Sequence, residues 1–313
     1  GAKQLLRYFV SASGQVTESF YNEQGQRTAT LAYTDKSFAV GSLSSASNLT
    51  MVDLATWKAA LPSPDLRLVQ RTDYTYDGRG LLDVLTKYAS TDAAGNGVID
   101  DQVIRTKHVY DAHGQLLQTI TGTAVTTQIY DGLGRIFART DTGVGINQVT
   151  TTIYDDANAR TEVTAANGLV TLSSYDRAGR IRTVEQKAAG APLGTTEYFH
   201  DADGRLRMTQ DPTGVRHWFL YDESGRKVAD IDGNGSLTEY RYTTTNQLQS
   251  VIVYERAVDT SKLIDPQGQP KDVKLTGSQG ILPTEGGTHI TGYRYDTAGR
   301  LIAVSDPSGL EKL

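Results

Sequence analysis

The motif Tyr-Asp-x-x-Gly governs what this chain can become. It occurs six times in 313 residues, beginning at Tyr76, Tyr110, Tyr130, Tyr175, Tyr221 and Tyr295. Weaker copies keep its phase. They are "YNEQGQ" at Tyr21, "YDDANA" at Tyr154 with Asn158 in the glycine place, "HDADGRL" with His200 in the tyrosine place, and "YTTTNQL" at Tyr242. From Tyr110 to Tyr242 the spacings are 20, 24, 21, 25, 21 and 21 residues. A period of this size marks a repeat architecture, in which each unit is held mainly by its neighbours.

A second turn signal follows inside the units. Eleven residues after the motif tyrosine, or His200, stand Asp141, Asp211, Asp232 and Asp306. The last three open "DPTG", "DGNG" and "DPSG"; after Tyr154 the same place reads "AANG". Between turns lie runs such as "RIFART", "VRHWFLY" and "TTTIY", rich in β-branched and aromatic residues. Strand, turn, strand, turn is the reading, so one unit is one antiparallel β-hairpin. The fold class is therefore all-β: consecutive hairpins forming one curved sheet.

Each motif residue has a structural task. The aspartates Asp77, Asp111, Asp131, Asp176, Asp201, Asp222 and Asp296 can accept a backbone N–H two residues on. The glycines Gly80, Gly114, Gly134, Gly179, Gly204, Gly225 and Gly299 admit the positive φ of a tight turn. The arginines Arg135, Arg180, Arg205, Arg226 and Arg300 can reach back to the aspartate or to a neighbouring turn. The tyrosine ends its strand and can stack on the tyrosine of the next unit. None of these tasks needs a substrate, and no catalytic residue is assigned.

Two stretches break the period: Tyr21 to Tyr76 spans 55 residues and Tyr242 to Tyr295 spans 53. In the first, Thr50 is a helix N-cap with Asp53 three residues later, and Leu49 faces Leu54 as a staple. Leu54, Trp57 and Leu61 share one face, so residues 51–60 form a short helix docked by Trp57. The second, 256–290, has no period and reads as a long loop. A shorter insertion at 90–102, "STDAAGNGVIDDQ", is a hairpin extension. The chain thus divides into divergent repeats (1–33), an insertion with a short helix (34–70), the main repeat sheet (71–255), a loop insertion (256–290) and a last repeat (291–313).

Several function classes are excluded by composition. The net charge is −5 with no basic run, which argues against nucleic-acid binding. The absence of cysteine removes disulfides, zinc–thiolate sites and cysteine nucleophiles. No stretch approaches the 18 or so apolar residues of a transmembrane helix. Gly1-Ala-Lys-Gln is not a signal peptide, and the uncapped ends suggest a piece of something longer.

The sharpest metal candidate is "DIDGNGS". Asp230, Asp232 and Asn234 fill the first, third and fifth places of a calcium loop, so calcium is the one cofactor considered. The twelfth place is Arg241 instead of a bidentate Glu, and strand-like flanks replace helices. The repeat register already explains Asp232 as a turn former, and the near-copy at Asp92–Asp100 is weaker still. The five histidines show no metal spacing; His200 stacks and hydrogen-bonds in its tyrosine place. The neighbouring acids Asp100-Asp101 and Asp155-Asp156 would point to opposite faces of a strand. Tyr8, Tyr198, Trp218, Tyr240 and Tyr293 are candidates for stacking on sugars, against packing between hairpins.

"YDGLGRI", "YDRAGRI", "YDESGRKV" and "YDTAGRL", with their "DPTG" and "DPSG" turns, resemble YD repeats, also called Rhs repeats. The resemblance covers about 70–250 and 290–313 well, and 1–30 loosely. The family includes bacterial Rhs polymorphic toxins, the B and C components of Tc insecticidal toxins, and animal teneurins. It implies a spiralling β-sheet that closes into a hollow shell, secreted or on the cell surface, in the toxins around a C-terminal effector. On that basis this chain is expected to be a segment of shell wall, partnered by the rest of a larger polypeptide and its cargo. The alternatives are a module binding glycans or proteins, and a polysaccharide-acting enzyme. "DPSGL" at Asp306–Leu310 occurs once, in the ordinary repeat position, and is not read as the toxins' self-cleavage site. Bare ends would expose strand edges, so the isolated chain is expected to hide its ends with the insertions or to associate through them.

Overall fold

The computed structural model describes residues 5–42, 49–61, 66, 69–276 and 280–312. Gly1 to Gln4, Leu313 and parts of both insertions lie outside them. The chain falls into two compact units, Gly1–Thr151 and Thr152–Leu313, and in both the turn chemistry decides the fold. The N–H of each turn aspartate donates to the carbonyl four residues on, and the glycine N–H donates back to the aspartate carbonyl. Every motif glycine has φ between 77° and 87°, where a Cβ would be strained. The chain must therefore reverse at each site, and the strands on either side pair.

In the first unit the antiparallel strands follow in chain order: Tyr8–Val10, Gln15–Tyr21, Arg27–Ser37, Val69–Tyr76, Leu82–Lys87, Ile104–Tyr110, Leu116–Thr121, Ala124–Tyr130, Ile136–Gly143 and the start of Ile146–Asp155. In the second they are Arg160–Thr164, Leu169–Tyr175, Ile181–Ala188, Ala191–His200, Leu206–Gln210, Arg216–Tyr221, Lys227–Ile231, Leu237–Tyr242, Leu248–Tyr254, Thr288–Tyr295, Leu301–Ser305 and Glu311–Lys312.

Neither long insertion interrupts the ladder. Arg27–Ser37 pairs directly with Val69–Tyr76, and Leu248–Tyr254 directly with Thr288–Tyr295. The repeat thus keeps its spatial step where the sequence loses its period. A register shift also sits just before motif residues Tyr21, Tyr76, Tyr110, Tyr130, Tyr175, His200, Tyr221, Tyr242 and Tyr295. The partner strand has one extra residue there, a bulge that re-aims the tyrosine. The turn at Asp211 carries no such shift.

Burial is concentrated in two islands, each under an insertion. In the first unit Val16, Leu31, Tyr33 and Val69 are covered by the helix Met51–Ala59, whose Leu54 is buried among them. Thr50 and Asp53 form the reciprocal capping box, and Ala60 is the C-cap. Leu49, Trp57 and Leu61 pack on the same cluster. In the second unit Met208, Trp218, Leu220, Ala229, Ile231 and Leu237 lie under Val258 and Leu263. The insertion expected to be a featureless loop is ordered there. It holds a 3₁₀ turn at Thr260–Leu263 and its own Asp265–Gln269 turn of the repeat type. By contrast, no residue from Asn96 to Arg207 is buried.

Both insertions lie on a sheet face. Among the described residues, no strand pairing joins them to the first or last strand, though Tyr8 and Val10 of the first strand pack on the cluster under the first insertion. Truncating Ile231, 1% exposed, to alanine should cost about 2–5 kcal/mol in the urea unfolding of its unit. Truncating Val144, 86% exposed, should stay within about 0.5 kcal/mol.

Candidate functional site

The repeated chemistry of the molecule is a ladder of carboxylate-closed turns. In Asp77, Asp111, Asp131, Asp176, Asp222 and Asp296, Oδ1 accepts the backbone N–H groups two and four residues on, at 2.8–3.0 Å. Asp201 accepts the N–H of Arg205 at 2.9 Å. The other oxygen takes the arginine after the glycine. Nε of Arg135, Arg180, Arg205, Arg226 and Arg300 donates to Oδ2 of its own aspartate at 2.7–2.8 Å. In Asp131, Asp176 and Asp296 the N–H four residues on is the largest cause holding the carboxyl below its ordinary range, and the arginine adds to it. Burial pulls Asp201 and Asp222 upward, but the same donors outweigh it.

The residue after the glycine also reaches into the next motif turn. Nη1 of Arg180 donates to the Asp201 carbonyl at 3.0 Å, and Gln26 and Gln247 donate to the carbonyls of Gly80 and Gly299 at 3.1 Å. The last two contacts step across the insertions. The tyrosines complete the tether. Hydroxyls of Tyr76, Tyr110, Tyr130 and Tyr242 donate to the carbonyls of Arg27, Leu82, Leu116 and Lys227 at 2.8–3.0 Å. Each acceptor lies two residues past the glycine of the preceding motif, whereas Tyr175 meets the Thr161 hydroxyl at 3.1 Å. The expected tyrosine-on-tyrosine stacking is absent among the described residues. The arginines take that place: Arg205 lies 5.5 Å from the Tyr221 ring centre and Arg226 4.9 Å from that of Tyr242. Tyr295 ends its strand opposite Leu301.

Degenerate copies keep the turn with substitute groups. Asn22 Oδ1 and Thr243 Oγ1 accept the N–H of Gln26 and Gln247, and Asn246 takes the left-handed place at φ 67°. The copy at Tyr154 is displaced by one: Ala159 has φ 50°, so it and not Asn158 holds the glycine place. Asp141 does not form a turn either. It lies within strand Ile136–Gly143 and accepts from Arg139 and Thr126, and the reversal comes at Gly145, φ 70°. The segment at Asp92 is a full repeat-type turn; Asp92 accepts from Ala94 and Asn96.

The calcium candidates are split up. Asp232 Oδ1 accepts the N–H of Asn234 and Ser236 at 2.9 Å, as any turn aspartate does. Asp230, on the strand before it, takes the Lys227 ammonium at 2.7 Å and the Tyr240 hydroxyl at 2.6 Å. Burial and then that bond push the Tyr240 hydroxyl up to about 12. Asn234 contributes its backbone N–H to the turn.

The sugar-stacking candidates also separate. Trp218 is 4% exposed and belongs to the core, and Tyr8 bonds to Glu18 at 3.1 Å. Tyr198 and Tyr293 line shallow openings of about 340 and 410 Å³. His200 lines the first of these and has no aromatic partner among the described residues. Asp100 and Asp101 lie in a turn, so the alternation of a strand does not apply to them. Among the described residues no three of His, Asp and Glu gather as a metal site would require.

Sequence reading missed two buried glutamates. Glu18, 1% exposed, accepts from Arg7 at 2.8 Å, Lys58 at 2.7 Å, and the hydroxyls of Tyr8 and Tyr33 at 3.1 Å. Burial raises its carboxyl, but Lys58, Tyr8 and Arg7 outweigh that and leave it below the ordinary range. Glu239, 6% exposed, accepts from Arg241 at 2.7 Å and from Tyr254 at 2.6 Å. The signal was present as Gly-x-aliphatic-Thr-Glu, which occurs at Gly14 and again at Gly235.

Comparison with known proteins gives a consistent result. The family described as teneurin YD-shell matches residues 72–279. A search among curated proteins gives no match. Among solved structures, the chain is similar to TcdB2-TccC3-Cdc42 at 14% identity, covering 96% of this chain and 18% of that one with a TM-score of 0.42. It is similar to TcdB2-TccC3 without the hypervariable C-terminal region at 13% identity, covering 93% and 18%, TM-score 0.43. The chain thus spans less than a fifth of the length of the structures it matches.

Three outcomes follow. Asp222→Ala should cost about 1 kcal/mol, with Asp222→Asn milder because Oδ1 survives. The motif aspartates Asp77, Asp111, Asp131, Asp176, Asp201, Asp222 and Asp296 have depressed folded values, so their stabilisation is complete above the ordinary aspartate range. It drains as pH falls below about 4, and urea midpoints against pH should show that loss. Millimolar calcium should leave the melting temperature unchanged; a clear rise would restore the metal reading.

Proposed function

The chain belongs to the teneurin YD-shell family, and from that premise we propose that it is a structural segment of a shell wall. The observation that carries this reading is that the motif aspartates, glycines and arginines close the turns, while Tyr76, Tyr110, Tyr130 and Tyr242 tether each turn to the hairpin before it. An array built that way extends by repetition, each unit held by its neighbours. The wall would belong to a larger secreted or cell-surface polypeptide and would enclose a cargo, as in the toxin branch. We read the segment as non-catalytic, because the motif acids are engaged by backbone N–H groups and arginines.

The half-covered face supports the same reading. A single sheet layer with no buried residue from Asn96 to Arg207 has few contacts of its own to stabilise it. In a closed wall, further turns of the spiral would supply them. A second reading, a glycan- or protein-binding module, draws on Tyr198 and Tyr293 at their shallow openings.

The test is electron microscopy with limited proteolysis of the complete parent polypeptide. A closed particle protecting an internal segment is expected. A self-contained open sheet of this length would sink the shell reading, and measurable glycan affinity lost in Tyr198→Ala or Tyr293→Ala would favour the second.

A further inference from the structure

One offset along the sequence carries Gly14, Val16, Thr17, Glu18, Tyr21, Leu31 and Tyr33 onto Gly235, Leu237, Thr238, Glu239, Tyr242, Ile252 and Tyr254. The two sets do the same things in space. Val16 and Leu237 are buried at the start of a strand, Leu31 and Ile252 are buried on the next, and Glu18 and Glu239 are buried between them. The hydroxyls of Tyr33 and Tyr254 donate to those glutamates. In each case the second strand then runs straight into a long insertion.

Both insertions first dock on the same atom. The N–H of Phe38 donates to the Gly14 carbonyl at 2.7 Å, and the N–H of Val258 to the Gly235 carbonyl at 2.8 Å. A Cβ on either glycine would meet the carbonyl oxygen of the docking residue, at 2.2 Å for Gly14 and 2.3 Å for Gly235. Most other turn glycines face open space or a flexible side chain. These two are therefore glycine for two reasons, the positive φ and the close approach of the strap.

The sites differ two residues past the glutamate. In the second, Arg241 supplies the cation to Glu239 from the strand itself. In the first, the equivalent residue is Phe20, whose ring lies under the Arg7 guanidinium at 4.3 Å. Glu18 takes that Arg7 guanidinium at 2.8 Å on one oxygen and a second cation from the insertion, Lys58 on the short helix, at 2.7 Å on the other.

We infer that the sheet carries one strap-docking site built twice, and that where Phe20 replaces the arginine found at Arg241 the buried glutamate is left an oxygen free to latch a cation of the strap, Lys58. The first insertion is a lid latched by charge at the buried glutamate; the second has no cation on its glutamate and is seated by Val258 and Leu263 in the Trp218 cluster, with Arg207 of the sheet reaching Asp272 at 3.5 Å farther along. A buried carboxylate stripped of a partner is costly, so removing Lys58 loosens the lid, and the sheet beneath it remains paired.

Hydrogen exchange of the full 313-residue chain tests both parts. Gly14→Ala and Gly235→Ala should each speed exchange about tenfold or more at their own strap, near Phe38 and Val258 respectively. Gly214→Ala is the control, because its φ of 87° carries the same strain with nothing within 4 Å. Lys58→Gln should speed exchange across 51–59 and leave 258–264 unchanged. Glu18→Gln, which loses the charge and turns an NH2 donor toward one of the two donor pairs, should do the same. Gly14→Ala and Gly235→Ala behaving like the control would overturn the shared site. An unmoved helix in Lys58→Gln, or loss of the helix only together with the strands under it, would overturn the latch.

Discussion

A carboxylate that closes its own turn is the interaction on which the rest of this molecule depends. Two backbone donors on one oxygen fix the reversal, and a left-handed glycine makes the geometry affordable without strain. Where an arginine follows the glycine, as at Arg135, Arg180, Arg205, Arg226 and Arg300, the second oxygen takes it and holds its guanidinium rigid. Strand pairing, the bulge before the tyrosine and the tyrosine's bond to the previous hairpin all follow from where that reversal is held.

Such an array answers one problem and leaves another. Backbone groups are satisfied strand by strand, whereas a single sheet has two faces to cover. Among the described residues the chain buries two clusters, and it covers them with segments that leave and rejoin the ladder. Elsewhere threonine pairs such as Thr106 with Thr121 and half-exposed aliphatics make a surface that tolerates water without demanding it. Stability is consequently uneven, with the strongest local packing under the straps.

Much of this was legible in the sequence because the turn is a local device. Tyr, Asp, Gly and Arg at fixed offsets name their own hydrogen bonds, and the helix at Thr50 announced itself through its capping box. What could not be read was non-local. Gaps of 55 and 53 residues looked like interruptions, because nothing in a linear spacing says that Ser37 and Val69 lie on adjacent strands. Asp141 satisfied the period but not the geometry, since its glycine came too late. The turns at Asp92 and Asp265 lacked the tyrosine that flags the others. The glutamates escaped notice because a buried acid is recognised by its partners, and Lys58 lies 40 residues from Glu18.

The looping-out of the insertions has a consequence for how such a chain can change. Departure and return strands are ladder neighbours, so an insert begins and ends roughly 5 Å apart in the pairing direction. Any segment whose ends lie that close can occupy the gap without moving a single strand. The repeat sheet therefore behaves as a chassis with exchangeable fittings. Its repeats are constrained by their bonds to one another, and its inserts are free to acquire new length, charge or binding chemistry at the same two sockets.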